Sequence, residues 1–194
     1  MKTAAVVLAA GLSTRRGSNK LLLELNSEPL VRRSARCVLE AGFERVTVVT
    51  GNDPAAIRAA LKGLPCDFAF NPDFATSGME ASLRAAVLSL APDVDALLFT
   101  LADQAFVTPV MLQNLLEAID NAPIAASRFG EVIAPPHVFA RELFSVLGTP
   151  GNGAKPLINH HLDRVAFVQQ PLEGLFDLDT PADYAAAVAL SSRV

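Results

Sequence analysis

The sequence of 194 residues has no tryptophan, a single tyrosine and only two cysteines, Cys37 and Cys66. The cysteines are far apart in sequence and match no metal-binding or redox spacing, so we interpret them as small buried apolar residues in a reducing compartment. Long apolar runs are also missing, since none approaches the roughly 20 residues of a membrane-spanning helix, and the start of the chain carries no cleavage signature. We therefore expect a cytoplasmic protein that does not enter a membrane.

An excess of positive charge is missing as well. The chain has 16 Lys and Arg against 20 Asp and Glu, and its net charge of -4 argues against broad nucleic-acid binding. Apolar residues, in contrast, make up 51% of the sequence, which is enough to build a large core. At this length we expect residues 1–194 to form one domain.

Short apolar runs alternate with helical patterns along the chain. Several runs are almost continuously apolar, which is typical of strands buried on both faces of a parallel sheet. The predicted strands are Ala4–Ala9, Val46–Thr50, Cys66–Phe70, Ala96–Leu101, Ile124–Ser127 and Val165–Val168. The predicted helices are Leu30–Ala41, Pro54–Leu61, Met79–Leu90, Pro109–Asp120, Phe139–Leu147, Ala154–His161 and Pro181–Ser191. This alternation predicts a three-layer α/β/α Rossmann-like fold with a mostly parallel sheet.

A basic, glycine-bearing loop follows the first predicted strand. Its glycines and cations are Gly11, Arg15, Arg16, Gly17 and Lys20. Backbone N–H groups and cations brought to one point suit a polyphosphate, although a solvated basic loop is the alternative. The loop lacks the three glycines of the dinucleotide fingerprint, and its glycines are too far apart for a P-loop. In doubly wound sheets, ligands bind at this carboxyl edge of the strands.

This loop resembles the signature of the MobA-like NTP transferases, which join a nucleotide to a phosphorylated acceptor and release pyrophosphate. The matching pattern is Leu8-Ala9-Ala10-Gly11-x-Ser13-x-Arg15-x-Gly17-x-x-Lys20-Leu21, and Arg16 stands where the family commonly has methionine. Further segments resemble the family in the same order along the chain. These are Asn71, Gly78 and Ser82-Leu83-Arg84, then Leu101-Ala102-Asp103-Gln104, then Gly153-Ala154-Lys155, then Asp177-Leu178-Asp179-Thr180-Pro181.

The resemblance implies a nucleotide site in which Lys20 and Arg15 clamp the triphosphate. Arginine offers a bidentate fork to phosphate oxygens and lysine a mobile point charge. The expected nucleotide-binding residues are Leu8, Ala9, Ala10, Gly11, Leu12, Ser13, Gly17, Lys20, Asn71, Gly78 and Ser82. For Asn71, Gly78 and Ser82, an equally good interpretation is that they turn the chain and cap the Met79 helix.

Three aspartates are candidate ligands of Mg²⁺, the cofactor that we expect. Asp103 follows a predicted strand and so lies on the same rim as the glycine loop, although a turn aspartate is the alternative. Asp177 and Asp179 alternate with Leu178 and would share one face of an extended segment. Together with Lys20 and Arg15, Asp103 is the predicted catalytic group.

Among relatives, the Leu-Ala-Asp-Gln and Asp-x-Asp-Thr-Pro segments look most like molybdenum cofactor cytidylyltransferases. We therefore expect CTP and a molybdopterin-type acceptor as substrates, with a recipient molybdoenzyme as a further partner. The alternatives are a guanylyltransferase that uses GTP, and a non-catalytic module that binds nucleotide or cofactor for a molybdoenzyme.

Weaker signals are found at a proline pair and at the starts of helices. Pro135-Pro136 predicts a surface turn from which His137 reaches toward the acceptor. Residues 20–25 are expected to be extended, and Thr108 and Thr180 are expected helix N-caps because a first-turn proline follows each of them. Ser77 and Glu80 have capping-box spacing, and Asp183 is the expected capping partner of Thr180.

Overall fold

The computed structural model describes residues 1–11, 19–178 and 180–191, and it contains nine strands and six α-helices in that part of the chain. The strands are β1 (Thr3–Ala9), β2 (Glu24–Leu25), β3 (Glu28–Pro29), β4 (Val46–Thr50), β5 (Cys66–Phe70), β6 (Ala96–Leu101), β7 (Ile124–Phe129), β8 (Val132–Ala140) and β9 (Val165–Gln169). The helices are α1 (Leu30–Glu40), α2 (Pro54–Ala60), α3 (Met79–Leu88), α4 (Pro109–Ala118), α5 (Ala154–His160) and α6 (Pro181–Ser191). Within these residues, every helix is too short or too polar to cross a bilayer.

Seven of the strands form one sheet in the order β5-β4-β1-β6-β8-β7-β9. β1 lies between β4 and β6 and is parallel to both, so the strand order reverses at β1. β8 alone runs antiparallel to its neighbours β6 and β7, and β9 is again parallel to β7. The predicted mostly parallel α/β sheet is therefore confirmed.

Strand alternation divides the apolar residues between two cores, one on each face of the sheet. In β1, Val7 points into the core formed with α1, α2 and α4, whereas Leu8 points into the core formed with α3 and α5. Helices cover both faces because each strand exposes apolar side chains on both sides. The fold thus has the predicted three layers.

A third, smaller cluster joins the β2–β3 hairpin to the C-terminal helix. It contains Leu25, Leu30, Ala105, Leu178 and Ala187. Ala105 follows β6 and Leu178 precedes α6, so their place in one cluster brings the segment before α6 to the carboxyl end of β6.

The prediction for residues 132–147 was wrong. Pro135 and Pro136 lie within β8 rather than in a surface turn, and the predicted helix Phe139–Leu147 is the end of β8 followed by a single 3₁₀ turn, Arg141–Leu143. The β7–β8 pairing shifts register between Ala126 and Arg128, opposite the two prolines. A bulge tolerates residues that have no N–H to donate, so the prolines fit the strand where the ladder is interrupted.

Two further local expectations were wrong and two were right. The segment after Lys20 starts as a 3₁₀ turn, not as a strand. Ser77 does not cap α3, because its hydroxyl donates to the Asp73 carbonyl at 2.6 Å and Gly78 is the N-cap. Thr108 accepts the N–H of Met111, and Thr180 and Asp183 form the predicted reciprocal cap of α6.

Candidate active site

A cavity of about 360 Å³ lies at the carboxyl edge of the sheet, where the strand order reverses. The ends of β1 and β6 form its floor, and the loop into α3 and the turn at Lys20 form its walls. Its lining residues are Leu8, Ala10, Gly11, Lys20, Leu21, Phe74, Ser77, Gly78, Met79, Ser82, Leu101 and Asp103. The sequence motifs that are distant along the chain therefore meet around one space.

Lys20 and Asp103 form an ion pair in the wall of this cavity. The distance from Lys20 Nζ to Asp103 Oδ2 is 2.7 Å, and each side chain is only 19% exposed. Asn19 holds the turn that carries Lys20, because its side-chain oxygen accepts the N–H of Leu21 at 3.1 Å. Asp103 comes directly after Ala102, whose N–H donates to the Leu8 carbonyl across the β1–β6 boundary. The fold thus fixes a cation and a carboxylate together at the rim.

Asn71 and Ser82 occupy different positions relative to the cavity. Ser82 lines it, whereas Asn71 is 1% exposed and lies behind Ser82. The Asn71 amide donates to Ser82 Oγ at 3.0 Å, and its oxygen accepts the N–H of Asp73 at 2.9 Å. Asn71 therefore anchors the loop into α3, and of these two residues only Ser82 lines the cavity.

The helix α3 starts in the cavity wall. Its N-cap is Gly78, and no side chain in the described part of the protein caps the first turn. The first N–H groups of an α-helix have no partner within the helix and favour a negatively charged group.

Asp177 approaches the same rim from the segment before α6. Asp177 pairs with Gln104 in an isolated antiparallel bridge, which sets it beside the residue that follows Asp103. Asp177 is exposed, whereas Leu178 is buried in the third cluster. Within the described residues, no group of three His, Cys, Asp or Glu side chains has the geometry of a metal site. Asp179 lies outside the described residues.

The remaining predicted residues either face away from the cavity or lie outside the described residues. Ala9 points into the core on the opposite face of the sheet, as strand alternation requires, so its side chain does not line the cavity. Leu12, Ser13, Arg15, Arg16 and Gly17 lie outside the described residues. The roles assigned to all of these residues stay predictions.

Sequence reasoning missed five lining residues: Leu21, Phe74, Ser77, Met79 and Leu101. Phe74, Ser77 and Met79 fall between or beside the motif residues Asn71, Gly78 and Ser82. Their place in the same loop was the available signal.

A second cavity, of about 520 Å³, adjoins the first, and Gly78 and Met79 line both. The start of β8 and the start of α5 form its other walls, with Ile133, Pro135 and Lys155 among the lining residues. The Gln104 amide donates to the Pro135 carbonyl at 2.9 Å, which ties this wall to the residue after Asp103.

His137 belongs to the inner wall of the second cavity rather than to an exposed turn. It is 2% exposed and packs edge-on against Phe99, with ring centroids 5.6 Å apart. Burial lowers the pKa of His137 from 6.5 to about 3, although contact with the Pro136 carbonyl favours the charged ring. The imidazole is therefore neutral at physiological pH.

The glycine-bearing loop, the ion pair and the α3 segment all lie within the part of the chain that matches a known protein family. The family model for the MobA-like NTP transferase domain matches residues 5–168. The chain belongs to the MobA-like NTP transferase family. This match contains most of β1, the Lys20 turn, α3 and Asp103, and ends within β9.

Individual members and solved structures support the same assignment. A probable molybdenum cofactor guanylyltransferase of Pelotomaculum thermopropionicum is 28% identical over 135 residues, which are 70% of this chain and 62% of that protein. A nucleotidyl transferase from Methanothermobacter is 26% identical, with a TM-score of 0.86 over 99% of this chain and 98% of that one. Rv0371C of Mycobacterium tuberculosis, solved in complex with manganese, is 25% identical, with a TM-score of 0.79 over 97% of this chain and 99% of that one. The aligned part of the chain thus spans less than two thirds of the curated relative.

Proposed function

We propose that this protein transfers a nucleoside monophosphate from a nucleoside triphosphate to a molybdopterin-type acceptor and releases pyrophosphate. The observation that carries the proposal is the Lys20–Asp103 pair, 2.7 Å apart in the wall of a cavity at the sheet's switch point. The name of the relative in Pelotomaculum supports the acceptor class.

The oxygen donors at this rim fit Mg²⁺. Asp103 brings a carboxylate to the cavity wall, and Asp177 pairs with Gln104, the residue that follows Asp103. Hard carboxylate oxygens suit this ion, which binds proteins through one or two carboxylates together with substrate phosphates. A solved neighbour holds manganese, another divalent cation. When bound, such an ion would neutralise charge on the phosphates during transfer.

The chain's own groups then position the phosphates. Lys20 is held at the rim by Asp103, and a triphosphate in the cavity would give its Nζ a second set of anionic oxygens. The uncapped first turn of α3 adds N–H groups at the wall between the two cavities. Positive groups on several sides of the transferred phosphorus stabilise charge that grows in the transition state.

The choice of nucleotide is part of the proposal. The Leu101–Gln104 and Asp177–Pro181 segments favour CTP by resemblance. The curated relative carries a guanylyltransferase name, which favours GTP as the second candidate. Pyrophosphate release should be measured with each nucleotide in the presence of Mg²⁺ and molybdenum cofactor. Release with CTP supports the first choice, release with GTP alone supports the second, and release with neither supports a non-catalytic binding module.

Substitutions at the ion pair test the site itself. Asp103→Asn should lower turnover roughly hundredfold or more, because the carboxylate would hold the Mg²⁺ that neutralises phosphate charge, an effect worth several kcal/mol. Lys20→Ala should mainly weaken triphosphate binding. The pair Lys2–Asp93, 2.6 Å apart and exposed at the opposite edge of the sheet, supplies the matched controls Lys2→Ala and Asp93→Asn. Turnover by Asp103→Asn that equals the controls would refute the assignment.

A further inference from the structure

Phe74 is the one aromatic side chain among the described residues that line the first cavity. It is half-buried in the loop between β5 and α3, and it lies three residues beyond Asn71. Nothing in the ion-pair chemistry requires an aromatic ring at this place.

The backbone at Gly51 lets the Phe74 ring take this position. A Cβ placed on Gly51 would lie 2.5 Å from Phe74 Cβ, 2.7 Å from Phe74 Cγ and 2.8 Å from the Ala10 carbonyl oxygen. Any other residue after β4 would therefore push the ring or the β1 loop away. Phe70 supports the ring from a second side in an edge-to-face contact, with centroids 6.3 Å apart and planes at 61°.

Strand order separates this aromatic group from the charged one. Gly51, Gly11 and Asp103 follow β4, β1 and β6, which are consecutive in the sheet. Since adjacent strands lie roughly 4.8 Å apart, β4 and β6 are separated by about 10 Å. The cavity therefore has an aromatic end at β4 and β5 and an ionic end at β6. A nucleoside triphosphate has the same two ends, a flat base and a chain of phosphates.

We propose that Phe74 is the stacking platform for the nucleobase and that Gly51 is the residue that positions it. The inference rests on the proposed function and extends it by naming the group that binds the base. Stacking on an aromatic ring accepts every base, and a purine offers more ring area than a pyrimidine. Removal of the ring should therefore weaken GTP at least as much as CTP.

Affinity measurements separate base binding from phosphate binding. Dissociation constants for CTP, GTP and inorganic tripolyphosphate should be measured calorimetrically for the wild type, Phe74→Leu and Phe74→Tyr. Loss of stacking in Phe74→Leu should weaken the nucleotide that the wild type binds by about 5- to 150-fold and leave tripolyphosphate within about twofold. Phe74→Tyr keeps the ring and should restore binding. Gly51→Ala should weaken the nucleotide as Phe74→Leu does.

The absence of tryptophan allows a direct readout of stacking. Phe74→Trp introduces a unique fluorophore whose emission should be quenched by the nucleotide but not by tripolyphosphate. Phe68→Trp is the matched control, because Phe68 packs beneath Arg58 on the face of the sheet that α1, α2 and α4 cover, and it does not line the cavity. This variant should show no quenching.

The outcomes are distinct. Equal loss of nucleotide and tripolyphosphate in Phe74→Leu would show that the ring only supports the loop, and unchanged nucleotide affinity would show that it does nothing; either overturns the proposal. If Phe74→Leu does not fold, unquenched emission from Phe74→Trp in the presence of bound nucleotide also overturns it. A wild type that binds tripolyphosphate but neither nucleotide refutes the proposed function instead.

Discussion

The neutral, buried imidazole of His137 makes the stability of the fold depend on pH in a calculable way. His137 lies in β8 opposite Phe99 of β6 and Ala126 of β7, and its Nδ1 has no hydrogen-bond partner among the described residues. Because burial lowers the pKa of the folded ring from 6.5 to about 3, the unfolded chain binds more protons throughout that interval. The free energy of unfolding therefore falls as the pH drops below 6.5.

The expected size follows from the two pKa values. The unfolded imidazole binds its proton as the pH falls through its pKa of 6.5, which is about 1.5 pH units above pH 5. Each pH unit below that pKa lowers the free energy of unfolding by about 1.4 kcal/mol. His137 should thus account for about 2 kcal/mol of the stability lost between these two pH values. Other groups that titrate in this interval contribute equally to the wild type and to a variant that lacks the ring.

Urea unfolding at pH 8 and pH 5 measures this difference. His137→Leu, of similar volume, should show a loss between the two pH values that is smaller than in the wild type by about 2 kcal/mol, whatever its absolute stability. His160→Gln, at the exposed end of α5, is the control for removing an imidazole and should keep the wild-type loss. Equal losses in the wild type and in His137→Leu would refute the argument that the ring is buried and neutral.

Further predictions concern packing and thiol reactivity. Gly148→Ala should destabilise the protein by about 2–5 kcal/mol in urea unfolding, because φ is +78° and the new Cβ would lie 2.4 Å from the backbone nitrogen of Arg84. Gly63→Ala, at φ +89°, should cost only about 1–2 kcal/mol, because no non-neighbouring atom of the described residues lies within 4 Å of the added Cβ. Equal costs for the two variants would contradict the packing argument. Burial raises the pKa of the Cys37 thiol to about 12, so an aromatic disulfide reagent at pH 8 should modify Cys37 only after unfolding. Rapid reaction of both thiols in the native protein would contradict this.

The sequence predicted the elements whose local pattern and tertiary environment agree. β1, β4 and β6 carry largely apolar side chains on both faces, and the sheet buries both faces. Their positions therefore followed from the apolar runs in the sequence. The caps at Thr108 and Thr180 followed from short-range chemistry in the same way.

β8 could not be predicted by the same reasoning. Its Pro135-Pro136 pair is a turn signal in isolation, and only the register shift against β7 makes the prolines acceptable within the strand. The pattern therefore predicts His137 in a turn, whereas it is buried in the sheet. For the candidate site, the motifs indicated Lys20 and Asp103, but the contact between them depends on how the Asn19–Leu22 turn folds back onto β6.

Phe74 shows the limit of motif reasoning at the site. Its neighbours carry the family resemblance, yet its own role depends on a close approach to Gly51, which is 23 residues earlier in the chain. A pattern of residues records spacing along the chain, whereas this contact is set by the adjacency of β4 and β5.

The wall between the two cavities has a consequence for the meeting of two substrates. Gly78 and Met79 line both spaces, and Met79 is 43% exposed. Glycine contributes no side chain, so among the described residues Met79, an unbranched thioether with three rotatable bonds, is the one side chain common to both cavities. A change of this side chain's rotamer would alter the space in both cavities at once, and with it the room for contact between a ligand in one and a ligand in the other.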